Sequence, residues 1–243
     1  MNLLEKIINT LPANPEPVRK VIVGAHWTLV SSKYCGLAST IVSESHGHAK
    51  VREVGHLHKK SAQELAAWAF SDNTLEASIG MAALNSLLPV DEQSASQVNA
   101  AEVIARESRG KNLVVVGHFP FVDQMKTIAS HCWVVEKHPS GEDCPEEAAE
   151  QLLPQADVVA ITGTAFINHT IDKLLSLRKP GAVTIILGPS TPLTRLLFDE
   201  HVSFLSGARV IDEEAAILTI QQGASFPQVQ GTRLYTMTRE RQP

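Results

Sequence analysis

Apolar residues in the second half of the chain fall into short runs of β-branched and aliphatic side chains, and each run stops at a glycine. Three such runs cover residues 113–116, 158–162 and 183–187, followed by Gly117, Gly163 and Gly188. Runs of this length, each with a helical pattern after it, predict strands buried on both faces of a parallel sheet. Ligands bind at the carboxyl ends of such strands, so the glycine turns predict where a ligand binds.

Helical and extended patterns alternate from about residue 99 onward, which is typical of a Rossmann-like α/β sheet covered on both faces. We expect Arg233 to Thr238 to form an edge strand. The other segments predicted around the three runs are helices at 99–109, 121–130, 146–153, 168–177, 192–199 and 213–221, and short strands at 132–136, 202–205 and 209–211.

The first part of the chain has a different pattern, which predicts a smaller α+β domain. Two strands, at 18–32 and 35–43, meet in a tight turn at Ser32-Lys33, and two capped helices follow. Ser61 and Asn73 are the predicted caps, with Glu76 at the capping-box position of the second helix. A polar stretch at 91–97 marks the linker, so we expect an α+β domain over 1–95 and a Rossmann-like domain over 96–243.

Composition narrows the classes of partner. The chain has 243 residues, 44% of them hydrophobic, and a net charge of −5 with no basic stripe, which excludes nucleic acid as a partner. No apolar run is long enough to cross a bilayer, so we expect no membrane partner. The three cysteines, Cys35, Cys132 and Cys144, form no CxxC pair, which favours a reducing cytoplasm over a disulfide framework. A homodimer is compatible with all of this.

The first glycine turn departs from the dinucleotide fingerprint. Only Gly117 is present where GxGxxG would be expected, and Phe119-Pro120 fills the space for a pyrophosphate, so ordinary NAD or FAD binding is not favoured. Glu136 closes the next strand at the place where an acid accepts hydrogen bonds from a ribose diol. The alternative is a solvated acid at a strand end.

The second and third turns are rich in small hydrogen-bond donors. Two hydroxyls, a glycine and an amide near a helix start can bind a carboxylate or phosphate without a formal positive charge. Helix capping is the alternative for most of them, because Ser, Thr and Asn are preferred caps. The candidate ligand-binding residues in these turns are Thr162, Gly163, Thr164, Asn168, Thr170, Gly188 and Ser190.

Histidines supply the candidate metal contacts. His118 lies in the first turn, where an imidazole could carry a proton or bind a metal, so it is the candidate catalytic residue and the best metal candidate. The alternative is that His118 is simply packed at the end of a strand. Weaker candidates are the two H-x-H pairs, His46 with His48 and His56 with His58, which lie in loop-like sequence.

These residues together resemble a family of uncharacterised bacterial and archaeal proteins known as the heavy-metal-chelation family. The resemblance covers nearly the full length of the chain. It rests on Trp27-Thr28, residues 35–38 (CGLA), residues 78–85 (SIGMAALN), residues 117–120 (GHFP), Glu136, residues 162–164 (TGT) with Asn168 and Thr170, and residues 188–190 (GPS).

The resemblance implies an enolase-N-terminal-like α+β domain joined to a Rossmann-like domain, with a site in the cleft between them. That arrangement would add Cys35, Glu76 and Asn85 to the ligand-binding candidates. The histidines at 46–58 lie outside the motifs that carry the resemblance. Cys35, as a lone cysteine, is also explained as a small buried apolar residue.

Two hypotheses follow. The leading one is a cytoplasmic protein that binds a small anionic molecule or a metal chelate in the interdomain cleft, with a role in the handling of a divalent heavy metal. The competing one is an enzyme that holds an adenosine-containing cofactor, a nucleotide or S-adenosylmethionine, through Glu136 and modifies a small molecule.

Overall fold

A computed structural model of the protein describes residues 1–42, 50–90 and 95–239. Within these ranges the chain forms a three-stranded antiparallel sheet and an eight-stranded, mostly parallel sheet. The strands are β1 Lys20–Val23, β2 Trp27–Ser31, β3 Cys35–Ser39, β4 Ala95–Ser96, β5 Asn112–Val116, β6 His131–Glu136, β7 Cys144–Pro145, β8 Val158–Thr162, β9 Val183–Leu187, β10 Phe204–Val210 and β11 Thr232–Thr238.

Helices connect and cover these strands. The α-helices are α1 Leu3–Ile8, α2 Ala62–Ala66, α3 Thr74–Leu87, α4 Ala100–Ser108, α5 Val122–Ile128, α6 Ala149–Leu152, α7 Thr164–Ile167, α8 Ile171–Ser176 and α9 Glu213–Gln221. Short 3-10 helices lie at Leu57–Lys59, Ala67–Phe70, Glu146–Ala148, Leu153–Gln155, Arg195–Phe198 and Phe226–Gln228.

The strand order of the large sheet is that of a Rossmann-like fold. Its six parallel strands lie in the order β7-β6-β5-β8-β9-β10, which corresponds to 3-2-1-4-5-6 when they are numbered along the chain. The antiparallel strands β11 and β4 complete the sheet beyond β10. The expected fold class, a Rossmann-like sheet with a smaller α+β part, is therefore confirmed. The order reverses between β5 and β8, which places the topological switch point there.

Side-chain alternation along the central strands divides the core into two layers. In β5, Leu113 and Val115 face the layer formed with α4 and α5, whereas Val114 faces the opposite layer. That second layer contains residues of α1, α2 and α3 as well as α7 and α8. The N-terminal helices therefore cover one face of the large sheet and share a hydrophobic core with it. The boundary between 95 and 96 stays a prediction.

Helix α3 is buried on nearly all sides, and its polar residues Glu76, Ser78 and Ser86 are buried together with its apolar ones. It lies between the antiparallel sheet and α2, and two glycines allow the close contacts. A Cβ on Gly36 would lie 2.1 Å from the Ala82 carbonyl oxygen of α3. A Cβ on Gly80 would lie 2.0 Å from the Ala69 backbone nitrogen. Gly36 and Gly80 therefore permit direct contact between backbones, which a side chain at either position would prevent.

Several predicted elements differ from the structure. The strand expected over 18–32 is two strands, β1 and β2, because the chain turns at Gly24, whose N–H donates to the Trp27 carbonyl at 2.9 Å. The expected strands at 202–205 and 209–211 are one strand, β10. The predicted edge strand, β11, is instead paired on both sides, by β10 and β4.

Among the described residues, no helix combines the length and the apolar character needed to cross a membrane.

Candidate functional site

The turn after β5 begins at Gly117, which has a left-handed φ of +99°. Its N–H donates to the Val135 carbonyl of β6 at 2.9 Å, and a Cβ would lie 3.0 Å from the Thr162 Cβ. Both the backbone angle and the space therefore favour glycine. The result is a tight turn that leaves the next residue, His118, at the carboxyl edge of the sheet.

The turn after β8 presents two neighbouring hydroxyls. The Thr162 and Thr164 Oγ1 atoms are 3.0 Å apart, and the Gly163 N–H donates to the Leu187 carbonyl of β9 at 2.7 Å. A Cβ on Gly163 would lie 2.6 Å from the Thr191 nitrogen, so the second and third turns pack directly together. Gly163 therefore has a packing role. The Thr162 and Thr164 side chains border the space between the ends of β5 and β8.

A cavity of about 280 Å³ lies at the switch point between the ends of β5 and β8. Seven predicted site residues line it: the candidate catalytic residue His118 and the candidate ligand-binding residues Gly117, Glu136, Thr162, Thr164, Asn168 and Thr170. Two further charged residues, Lys137 and Glu146, also line it, together with an apolar part that includes Phe119 and Leu174. All its lining residues come from 116–174. No described residue of the N-terminal part contributes to this cavity.

Asn168 and Thr170 are placed by a break in the helix predicted over 168–177. Helix α7 ends at Ile167, Asn168 occupies its C-cap position, and His169 has a left-handed φ of +57° before α8 begins at Ile171. Asn168 therefore does not cap a helix start, contrary to the capping alternative. Within the described part of the chain, neither the Asn168 nor the Thr170 side chain makes a hydrogen bond. Both polar groups are available to a ligand.

Glu136 has a structural contact as well as a place in the cavity. Its Oε2 accepts from the His118 N–H at 2.9 Å, and its Oε1 accepts from the Lys137 N–H at 2.8 Å. The carboxylate thus fixes the backbone of the first turn. Each oxygen retains a further lone pair that could accept from a ligand.

His118 is held by a partner that the sequence does not reveal. Its Nδ1 lies 3.1 Å from Asp143 Oδ2, and the Asp143 side chain is only 5% exposed, whereas that of His118 is 53% exposed. Burial raises the pKa of Asp143, but hydrogen bonds from Ser140 and His118 outweigh it, so the pKa lies below its ordinary value. Asp143 is therefore ionised at neutral pH. No local pattern marks it, since it lies in a polar loop 25 residues after His118.

The third turn lies at the contact between the two sheets and not in the cavity. Ser190 is 1% exposed, and its Oγ accepts from the Ser39 N–H of β3 at 2.8 Å. The Asn85 amide of α3 donates to the carbonyls of Leu37, at 3.0 Å, and Ser190, at 3.4 Å. Gly188, with φ +105°, donates to the Ser206 carbonyl at 3.0 Å. Ser190 and Asn85 therefore connect the large sheet to β3 and α3, whereas the Gly188 bond stays within the large sheet. The surfaces expected to face each other across a cleft are in contact there.

Cys35 and Glu76 are also remote from the cavity. Cys35 is 8% exposed, and burial raises the pKa of its thiol to about 12, which disfavours the thiolate that binds heavy metals. Glu76 is 3% exposed and binds Arg52 and Ser71. Its carboxylate therefore does not complete the capping box expected with Asn73; Asn73 alone caps α3.

The metal candidates outside the cavity gain no support from geometry. His56 and His58 are exposed at a 3-10 helix, and His46 and His48 lie outside the described residues. In the described ranges, no group of three or more His, Cys, Asp or Glu side chains is arranged to hold a metal ion. These residues therefore do not fit a bare heavy-metal ion held by the protein alone. A single imidazole beside a polar cavity fits a metal ion that is already coordinated by another molecule.

The fold and the cavity define a Rossmann-like α/β protein with a cavity at its switch point. The chain belongs to the DUF364 family, whose model carries the description "Putative heavy-metal chelation" and matches residues 99–239. A second model, DUF4213, has the same description and matches residues 4–88. These descriptions suggest heavy-metal chelation for this chain.

Solved structures of relatives support the fold over nearly the full length of the chain. An uncharacterised protein of Methanocaldococcus jannaschii is 28% identical over 213 residues, which cover 84% of this chain and 82% of that protein. A crystal structure of a DUF364 protein of unknown function from Desulfitobacterium hafniense DCB-2 gives a TM-score of 0.85 at 25% identity, with 97% of both chains covered. A DUF364 protein of unknown function from Pyrococcus horikoshii gives 0.79 at 20% identity over 97% of both chains and supports the fold alone.

Proposed function

We propose that this protein binds a small metal chelate, a metal ion already held by an organic molecule, in the switch-point cavity. The observation that carries the proposal is the composition of the cavity wall. The Asn168 amide and the Thr170 hydroxyl, which bind no other described residue, and the paired hydroxyls of Thr162 and Thr164 stand beside one oriented imidazole. The described residues offer no further set of metal ligands nearby. The family description is consistent with such a cargo.

The polar end of the cavity suits the organic part of a chelate. The Thr164 hydroxyl, the Asn168 amide and the Thr170 hydroxyl can donate to carboxylate or hydroxyl oxygens without adding positive charge. Backbone turns at the carboxyl ends of β5 and β8 surround the same space, as in other ligand sites of this architecture. These groups would orient the organic molecule.

Charge favours a chelate over a free anion. Two carboxylates, Glu136 and Glu146, line the cavity against one ammonium group, Lys137. A free polyanion would be repelled by this excess of negative charge, whereas the metal ion of a chelate offsets the charge of its carboxylates. A volume of about 280 Å³ lies just below the usual range for ligand pockets. The expected ligand is therefore small and close to neutral.

The adenosine-cofactor hypothesis has one supporting observation, since Glu136 lines the cavity from the end of the second parallel strand. Both Glu136 oxygens accept backbone N–H groups but keep a further lone pair each, so the argument against the hypothesis comes from the neighbouring turn. Phe119 and Phe121 stack with ring centroids 5.1 Å apart beside the turn where a pyrophosphate would need space. We therefore treat adenosine binding as an outcome of the test.

A thermal-shift panel tests the proposal on the full chain. The probes are Cu²⁺ alone, iminodiacetate and citrate alone, their preformed Cu²⁺ chelates, ATP and S-adenosylmethionine. At a hundred times its Kd, a chelate should add about 2.7 kcal/mol of stability, equivalent to a Tm increase of roughly 5–10 °C. We expect this response from at least one chelate and not from its separate components.

The variant Thr164→Val removes a cavity hydroxyl at nearly constant volume and should reduce the response. Thr127→Val, on the exposed side of α5, is the matched control and should leave it unchanged. Stabilisation by adenosine compounds alone, or an equal response to Cu²⁺ without a chelator, would contradict the proposal, as would no response to either chelate.

A further inference from the structure

We infer that His118 donates one coordination bond, through Nε2, to the metal of the bound chelate, and that Asp143 is the positioning residue that makes this nitrogen available. This inference rests on the proposed function. It narrows the ligand class to chelates whose metal has an open coordination position and a preference for imidazole nitrogen. Cu²⁺, Ni²⁺ and Zn²⁺ have that preference.

The hydrogen bonds around Asp143 determine which imidazole nitrogen is free. Asp143 Oδ2 accepts from the Ser140 N–H and from the Ser140 hydroxyl, both at 3.3 Å. The same carboxylate lies 3.1 Å and 3.3 Å from His118 Nδ1. Because a carboxylate can only accept, Nδ1 must carry the proton of the neutral imidazole. The lone pair is then on Nε2, as in the carboxylate–histidine–metal arrangement of known metal sites.

The His118 ring is oriented by its contact with the buried Asp143 carboxylate, while the rest of the ring is exposed. Asp143 is only 5% exposed, whereas His118 is 53% exposed and lines the cavity. The His118 backbone is fixed as well, because its N–H donates to Glu136 at 2.9 Å. The residue is thus held at its main chain and at one ring nitrogen. The other ring nitrogen is left for a ligand.

One nitrogen is too few for a bare ion. The described part of the chain has no group of three or more metal-binding side chains that would include His118. A metal ion alone would keep most of its water ligands and bind weakly. A chelate brings the missing ligands with it and needs only one more, which explains how a single histidine could serve a metal-binding site.

Titration of untagged full-length protein with Cu²⁺–iminodiacetate tests this inference. The tridentate chelator leaves one equatorial position on Cu²⁺ open, and electron paramagnetic resonance detects an imidazole nitrogen that enters it. We expect one tight site per chain with that nitrogen signature. His118→Ala should remove both the tight site and the signature. His131→Ala, which replaces an exposed histidine, and the double variant His56→Ala/His58→Ala should keep them.

The variant Asp143→Asn tests whether Asp143 positions the His118 imidazole, without a large change in protein stability. It keeps the shape of the side chain but no longer requires the proton on Nδ1, so affinity for the chelate should fall about 10- to 100-fold. The nitrogen signature should change while the Tm of the ligand-free protein stays close to that of the wild type. Equal affinity and an equal spectrum for Asp143→Asn would show that Asp143 does not position the imidazole.

The outcomes distinguish this inference from the proposed function. If the chelate stabilises the protein and His118→Ala binds it as tightly as the wild type, the inference fails and the proposed function stands. If neither the wild type nor any variant binds a chelate, both fail. If the tight site is lost only in the His56→Ala/His58→Ala variant, the metal contact lies at that H-x-H pair and the assignment to His118 is wrong.

Discussion

Replacing Gly36 by alanine is expected to lower the free energy of unfolding by about 3 kcal/mol or more, at the upper end of what overpacking a core costs. The added Cβ would lie 2.1 Å from the Ala82 carbonyl oxygen and 2.3 Å from the Ser86 nitrogen, both backbone atoms of a buried helix. Because neither can rotate away, β3 and α3 must separate. Urea unfolding followed by circular dichroism measures the loss.

Gly181→Ala is the matched control. A Cβ there would meet nothing within 4 Å, although its φ of +81° is left-handed. Only the backbone strain of about 1–2 kcal/mol should remain. If Gly36→Ala were no more destabilising than Gly181→Ala, the close packing of β3 against α3 would be wrong.

Replacing Glu76 by glutamine should lower the free energy of unfolding by about 1.5–3 kcal/mol, the usual range for hydrogen bonds to charged groups. The buried carboxylate accepts from the Arg52 N–H at 2.8 Å, from the Arg52 Nε at 3.0 Å and from the Ser71 hydroxyl at 2.7 Å. Glutamine keeps the size but loses the charge and one acceptor. The Arg52 guanidinium, which lies 4.7 Å from the Trp68 ring, would lose its partner.

The contribution of Glu76 also depends on pH. Burial raises the pKa of Glu76, but the hydrogen bonds from Arg52 and Ser71 lower it by more, to below the ordinary value of 4.5. A carboxyl with a depressed native pKa stabilises the fold above its unfolded pKa and loses that effect as the pH falls through the native value. The difference between wild type and Glu76→Gln should thus be full at neutral pH and shrink below about pH 4.5.

Glu142→Gln provides the surface comparison, since Glu142 is exposed and pairs with Lys126 at 2.8 Å. It should leave the unfolding curve unchanged at neutral pH. An equally small effect for Glu76→Gln would mean that the Arg52 pair adds nothing to stability.

The general position of the candidate site could be predicted from sequence because it depends on local patterns. Buried strands are continuous apolar runs, and a turn with a left-handed backbone angle favours glycine. Gly117 therefore marked the first turn, and the paired threonines at 162 and 164 marked the second. The cavity lies between them, as the rule for open parallel sheets requires.

The finer features could not be predicted because they depend on contacts between distant residues. Ser190 has the same local signals as the other turn residues, but its hydroxyl binds Ser39, 151 positions away. The spacing of Glu76 from Asn73 predicts a capping box, but the Glu76 carboxylate accepts hydrogen bonds from Arg52 instead. Asp143 lies in a loop without a motif. In each case tertiary packing determines the role of a residue whose local sequence permits several.

Crystals grown with Cu²⁺–iminodiacetate would test the central claim most directly, through the anomalous scattering of copper. The claim predicts a strong anomalous peak in the switch-point cavity within bonding distance of His118 Nε2, with density for the chelator toward Thr164, Asn168 and Thr170. A peak at the histidines of 46–58 or at a cysteine, with nothing bound between the ends of β5 and β8, would contradict it.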